Sequence, residues 1–263
     1  MKIGIIGGSG LYSINGFEFI EDIEVSSAFG KPSSPYKLFR KGGVEFYFLS
    51  RHGANHTLAP HKVNYRANID GFKQIGVSQI LSFNAVGGIA SDLKPSDIVI
   101  PDNAIDMTCG RANTFYEEND IVHIDLTYPF CETIRDKLIT LSKDFSFGIK
   151  NKGVYVCTNG PRLETAAEIK MYKTLGADIV GMTLFPEVTL AREAEICYAN
   201  VSIVTNFAAG ISKNKLTTSE VIETIKKSEE KLKEILELYS KNIPNTDECK
   251  CTKALEDAGI TKK

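Results

Sequence analysis

The chain reads as an α/β domain, and three observations carry that reading. Short apolar runs of strand type alternate with segments whose apolar residues recur at helical spacing. Glycine or proline stands at most of the joints between them. At 263 residues, with 43% hydrophobic and 24% charged content, the chain is long and apolar enough to bury one sizeable core. The strand runs fall at residues 3–6, 44–49, 79–83, 98–100, 153–157, 179–181 and 201–205, where branched and aromatic residues dominate. Helices are expected over 64–75, 130–143, 164–175, 187–199 and 219–239, with Ser219 available to cap the last. Beyond it the run Pro244-Asn245-Thr246-Asp247-Glu248-Cys249-Lys250 turns polar. The expected organisation is one domain over 1–242 and a polar tail over 243–263 that carries the pair Cys249-Lys250-Cys251.

Charge and cysteine usage narrow the function classes. A net charge of -2 supplies no broad cationic field, so neither nucleic acid nor a membrane surface is expected as a partner, and any phosphate must be held locally. The N-terminus enters an apolar strand without a basic leader, and no segment is apolar for long enough to span a bilayer, so a cytoplasmic protein is expected. The six cysteines lack the dense spacing of a small secreted domain and are expected reduced; the Cys249–Cys251 pair leaves room for a redox staple.

In α/β sheets, ligands bind at loops leaving the C-terminal ends of strands, so the polar residues that follow the apolar runs are the candidates. Gly7-Gly8-Ser9-Gly10 offers backbone N–H groups and a hydroxyl to an oxyanion. It lacks the last glycine of a dinucleotide fingerprint and the Gly-Lys-Ser/Thr of a Walker loop. Arg51-His52-Gly53 sets a planar fork beside an imidazole, a pairing suited to a tetrahedral anion. Asn84-Ala85, Met182-Thr183 and Asn206-Phe207-Ala208 follow three further runs. His52, His56 and His61 are not expected to bind metal, because Gly53 and Pro60 interrupt any helix and no carboxylate lies among them.

These pieces, in this order, resemble the trimeric nucleoside phosphorylases, the family of the methylthioadenosine, methylthioinosine and 6-oxopurine nucleoside phosphorylases. The match runs from Ile3 to about Leu238, strongest over residues 3–11, 50–68, Asn159-Gly160-Pro161-Arg162 with Glu164-Thr165, and 181–188. The resemblance implies a three-layer fold with a central mixed, twisted sheet flanked by helices. It also implies phosphate ligands at Ser9, Arg51, His52, Asn84, the Ala85 backbone and Thr183, with Met182 packed under a ribose. Asn84 stands where the methylthioadenosine branch frequently has threonine, and Val86 where it has cysteine.

Adenine-specific relatives carry a serine after Pro-Arg-Phe and an Asp-x-Asp after the last strand. This chain has Glu164 after Pro161-Arg162-Leu163, and Asn206-Phe207-Ala208, matching the 6-oxopurine pattern. The chemistry agrees: a carboxylate accepts from the protonated N-1 of hypoxanthine or guanine, and an amide donates to O-6 or pairs with N-7. Adenine N-1 is itself an acceptor and leaves that carboxylate unpaired, a penalty of roughly 1–3 kcal/mol. At the sugar's far end the resemblance aligns Thr218 with the position that selects the 5' substituent. It aligns His123 with a residue reaching the 5' pocket of a neighbouring subunit.

The implied reaction is phosphorolysis of inosine, guanosine or 5'-methylthioinosine in purine salvage, with phosphate as co-substrate, no cofactor or metal, and assembly as a trimer or pair of trimers. The alternative is a methylthioadenosine phosphorylase. A nucleosidase would need an acidic base near C-1' and a weaker anion cradle; a dinucleotide oxidoreductase would need the missing fingerprint; a non-catalytic purine binder would have no use for Arg51 or Thr183.

Overall fold

Eleven strands of a single mixed sheet and five α-helices account for the regular structure of a computed structural model that describes residues 1–7, 16–117, 120–212, 218–256 and 258–259. The strands are β1 (Lys2–Gly7), β2 (Glu18–Ile23), β3 (Tyr36–Lys41), β4 (Val44–Ser50), β5 (Gln79–Gly88), β6 (Ile98–Val99), β7 (Asn103–Met107), β8 (Ile149–Lys150), β9 (Val154–Thr158), β10 (Ile179–Gly181) and β11 (Cys197–Phe207). The main path runs β2-β3-β4-β1-β5-β10-β9-β7, while β11 pairs with β5 and β6, and β6 with β8. The helices are α1 (Tyr65–Ile75), α2 (Glu132–Leu141), α3 (Ala166–Thr174), α4 (Glu187–Glu193) and α5 (Thr218–Lys241).

Alternation along the strands divides the core between two faces. Ile6, Leu49 and Ile80 point to one side, where α1 (Ile69, Phe72) and α4 (Val188, Leu190) cover them. Ile5, Phe48 and Leu81 point to the other, beneath α2 (Ile134, Leu138) and α5 (Leu232, Leu236). The result is the expected three-layer arrangement. Between β3 and β4 the register pairs Lys41 with Val44, and Gly42 and Gly43, at φ +58° and +79°, provide the two left-handed positions that such a hairpin needs.

The structure departs from the sequence-based expectation in four strands and two helices. Strands β2, β3, β7 and β8 lie where none was expected. β2 and β7 end the sheet path and are largely exposed, so neither needs the apolar run that marks a buried strand. The helix expected over 187–199 stops at Glu193; Glu195 turns left-handed at φ +59°, and Cys197-Tyr198-Ala199 instead pair with Gln79-Ile80-Leu81. α3 starts at Ala166, capped by Thr165 in a reciprocal box with Glu168, and this leaves Glu164 outside the helix.

The polar C-terminal segment packs back onto the sheet. Gln79, fully buried in β5, donates to Pro244 O at 2.7 Å and Thr246 Oγ1 at 3.1 Å, and accepts from Tyr239 Oη at 2.6 Å. Thr246 and Cys251 are buried, and Gly259 forms a bridge with Val122.

Candidate active site

The site begins with an interruption in the sheet. β11 pairs with β5 along one edge over its whole length. On the opposite edge β1 pairs in parallel with Gln79–Ser82, and β10 pairs antiparallel with Gly87 and Gly88. Among the described residues, 83–86 therefore have no strand partner on that edge, and the neighbouring strands change from parallel to antiparallel there, the kind of place where α/β sheets leave a crevice. A cavity of about 490 Å³ occupies this place, within the usual range for a small-molecule site. Arg51, His52, Asn84, Ala85, Glu164, Met182, Thr183, Asn206 and Ala208 all line it.

At one end of the cavity, Arg51 is fully buried and its fork is largely committed to protein. Nε donates to Glu187 Oε2 at 2.6 Å and Nη2 to Glu187 Oε1 at 2.8 Å and Ser82 Oγ at 2.6 Å, while Nη1 donates to Phe83 O at 3.1 Å. Of its N–H groups, one on Nη1 has no protein acceptor among the described residues. Burial works against the guanidinium charge, but the Glu187 carboxylate more than offsets it, so Arg51 stays a cation. Glu187 also accepts from Ser82 Oγ and Tyr198 Oη, each at 2.7 Å.

The same network aims Thr183. Asn84 Oδ1 accepts from Asn200 Nδ2 at 2.5 Å, which turns the Asn84 amide nitrogen toward Thr183 Oγ1 at 2.6 Å. Because that hydroxyl accepts from Asn84, its own proton has no protein acceptor among the described residues and can serve a ligand. His52 is held differently. Its Nδ1 lies 2.8 Å from Leu58 O, and a carbonyl can only accept, so the proton sits on Nδ1. Burial, with Arg51 next, lowers its pKa to about 4, so the ring is neutral and Nε2 carries a lone pair. His56 packs against it with the rings tilted by 40° and their centroids 4.6 Å apart, and also lines the cavity.

The opposite end carries Glu164 and Asn206. Glu164 lies just before the Thr165 cap, and its Oε1 accepts from Thr158 Oγ1 at 2.7 Å; Oε2 has no protein donor among the described residues. Asn206 follows a bulge in β11, where the register shifts between Val204 and Asn206, and such a bulge re-aims the side chains after it. Thr205 Oγ1 donates to Asn206 Oδ1 at 2.7 Å and Asn206 Nδ2 donates to Phe207 O at 2.9 Å, leaving one amide proton for a ligand. Between the two ends, Met182 is held through its carbonyl by Arg111 Nη2 at 2.9 Å. A side chain on Gly181 would collide with the Tyr155 hydroxyl, so only glycine fits there.

Not every expected residue is brought to the cavity. Phe207 stands outside its wall, whereas its neighbours Asn206 and Ala208 line it. Ser9 lies outside the described residues, as does the Thr218 side chain, although Thr218 begins α5 and Val221, one turn on, lines the cavity. His123 is exposed in this single chain, and its backbone N–H donates to Ala258 O at 2.9 Å. Sequence reasoning missed three residues: Glu187, which neutralises Arg51; His56; and Arg111, whose guanidinium binds Phe185 O, Met182 O and Thr158 O and so fixes the loops carrying Met182 and Thr183. Arg111 follows no apolar strand run, so nothing local marked it.

Comparison with known proteins places these features in context. Residues 2–241 match the family model described as the phosphorylase superfamily. The chain is 49% identical over 261 residues to a protein of Thermodesulfovibrio yellowstonii named probable S-methyl-5'-thioinosine phosphorylase, covering 99% of this chain and 98% of that one. It is 47% identical over 259 residues to a protein of Dictyoglomus turgidum named probable 6-oxopurine nucleoside phosphorylase, covering 98% and 97%. Among solved structures, the methylthioadenosine phosphorylase of Schistosoma mansoni in complex with adenine is similar with a TM-score of 0.92 at 34% identity, over 99% of both chains.

Proposed function

The chain belongs to the phosphorylase superfamily, and from that premise we propose that it is a purine nucleoside phosphorylase, using inorganic phosphate to split inosine, guanosine and 5'-methylthioinosine into free purine and pentose 1-phosphate. The observation that carries this reading is one cavity with an anion cradle at one end and a carboxylate–amide pair, Glu164 and Asn206, at the other.

Phosphate rests on the remaining Arg51 Nη1 proton, the Thr183 hydroxyl, the second Asn84 amide proton and the Ala85 backbone, with Ser9 completing the cradle. The His52 Nε2 lone pair accepts from the P–OH of hydrogen phosphate. Because Glu187 neutralises Arg51, oriented dipoles do much of the holding, and they are in place before the anion arrives. A phosphate oxygen then bonds to C-1' as the bond to N-9 breaks and its electron pair passes to the purine. The dianion beneath the sugar also stabilises the cationic character that develops there.

At the base, Glu164 Oε2 accepts from N-1–H and Asn206 donates its spare amide proton to O-6 or N-7. Thr158 holds Glu164 in place by the other oxygen. Adenine would set two acceptors against each other at N-1, which disfavours the methylthioadenosine reading. Assembly into trimers, with the exposed His123 reaching a neighbour's 5' pocket, belongs to the same proposal. So does a cytoplasmic location; no helix among the described residues is long and apolar enough to cross a membrane.

The deciding experiment measures base release from inosine, guanosine, 5'-methylthioinosine, adenosine and 5'-methylthioadenosine, each with and without phosphate. Phosphate-dependent cleavage confined to the 6-oxopurines is expected. Preference for the adenine nucleosides would overturn the base assignment, and turnover without phosphate would overturn phosphorolysis.

A further inference from the structure

Away from the cavity, four of the six cysteines converge. Cys131 occupies the N-cap position of α2, Cys197 opens β11, and Cys249 and Cys251 lie at the 3₁₀ turn Lys250–Lys253 of the C-terminal segment. Their Sγ atoms all lie within 4.8 Å of one another, with Cys131 and Cys249 3.5 Å apart. Cys131, Cys197 and Cys251 are buried and Cys249 is half-buried.

That spacing has a specific chemical reading. Four sulfurs placed tetrahedrally around zinc at about 2.3 Å stand roughly 3.8 Å from one another. We propose that Cys131, Cys197, Cys249 and Cys251 form a tetrathiolate site for one divalent metal ion of the soft class, zinc first and iron second, which ties the C-terminal segment to the sheet and to α2. The ligands have the arrangement of a closed structural site: a close Cys-x-Cys pair on a turn and two single cysteines from rigid elements, with all four positions filled by protein.

The surroundings suit a thiolate cluster. Binding converts four thiols and one M²⁺ into a complex of charge −2 and releases four protons to solvent. The free N–H groups of the first turn of α2 face the position of Cys131, and a helix N-terminus favours sulfur in its anionic form. Thr133 Oγ1 approaches Cys249 Sγ at 4.0 Å as an outer-shell donor.

The metal and the disulfide alternative predict different chemistry. Two disulfides would remove the four thiol hydrogens and four electrons and leave no ligand set. The untagged full-length chain, purified under reducing conditions without chelator, is assayed for zinc and iron by mass spectrometry and for thiols after denaturation. About one equivalent of metal per chain is expected, surviving dialysis, together with all six thiols once the metal is chelated. Growth in cobalt should give the sulfur-to-metal charge-transfer and visible bands of a tetrahedral tetrathiolate. The Cys249→Ser/Cys251→Ser variant should lose the metal and Cys109→Ser, an exposed cysteine outside the cluster, should keep it. A metal-free wild-type chain overturns the proposal, whether its mass shows missing hydrogen pairs or six free thiols. Because the wild-type metal content and the cobalt spectrum need no variant, the outcome stands even if the double variant fails to fold.

Discussion

Glu164→Gln is the sharpest perturbation of the base assignment. Glu164 is anchored through Oε1 by the Thr158 hydroxyl at 2.7 Å, so its Oε2 is the atom available to purine N-1. In the glutamine variant the Thr158 proton still prefers the amide oxygen, which presents the NH₂ group to the base. Against inosine that places donor against donor and removes a hydrogen bond to a charged group, worth about 1.5–3 kcal/mol. At roughly 1.4 kcal/mol per decade, kcat/KM for inosine should fall about 10- to 150-fold. Against adenine the same NH₂ finds the N-1 lone pair, so adenosine should hold steady or improve, and the ratio should narrow by more than either change alone. Phosphate KM should scarcely move, since the cradle lies at the other end of the cavity. The assay is initial-rate kinetics for inosine and adenosine at saturating phosphate. An inosine kcat/KM within twofold of wild type would refute the role given to Glu164.

Three further outcomes follow from the anion end. Glu187→Gln leaves the Arg51 cation buried beside a neutral partner and should cost about 3–5 kcal/mol of stability; urea unfolding measures it, and added phosphate should restore more stability to the variant than to wild type. Thr183→Val keeps the shape but deletes the proton aimed at phosphate, so phosphate KM should rise about tenfold or more with nucleoside KM little changed. His52 titrates near 4 when folded against 6.5 when unfolded, so the unfolded chain takes up its proton first as pH falls. Its contribution is complete above pH 6.5 and is lost progressively down to about pH 4, amounting to about 3 kcal/mol. The unfolding free energy of His52→Gln should be correspondingly less steep in pH across that window, and equal slopes in variant and wild type would contradict a buried neutral ring.

Much of this molecule was legible in its residue order because the relevant physics is local. Apolar runs such as Ile3-Gly4-Ile5-Ile6 mark buried strands, and the polar residues directly after them, Arg51-His52 and Asn84 among them, sit at the rim of the cavity as strand-end loops should. Glu164 and Asn206, chosen for the chemistry of a purine edge, line the same cavity. The strands at the sheet margins were not legible, because β2 and β7 keep exposed faces and lack an apolar signature.

What only the tertiary structure decided is non-local. The sequence offered Arg51 as an open fork, but Glu187, 136 residues away, closes it together with Ser82 and Phe83, leaving one Nη1 proton without a protein acceptor among the described residues. The Asn206 side chain owes its aim to a bulge that appears only when β11 is registered against β5. The pair Cys249-Lys250-Cys251 reads as a redox staple in isolation; packing adds Cys131 and Cys197, and four sulfurs within 4.8 Å of one another allow a different chemistry from two. Spacing along a chain reports which side chains share a face of one element, whereas which elements share a site depends on the pairing of strands distant in sequence, and that is settled only when the sheet assembles.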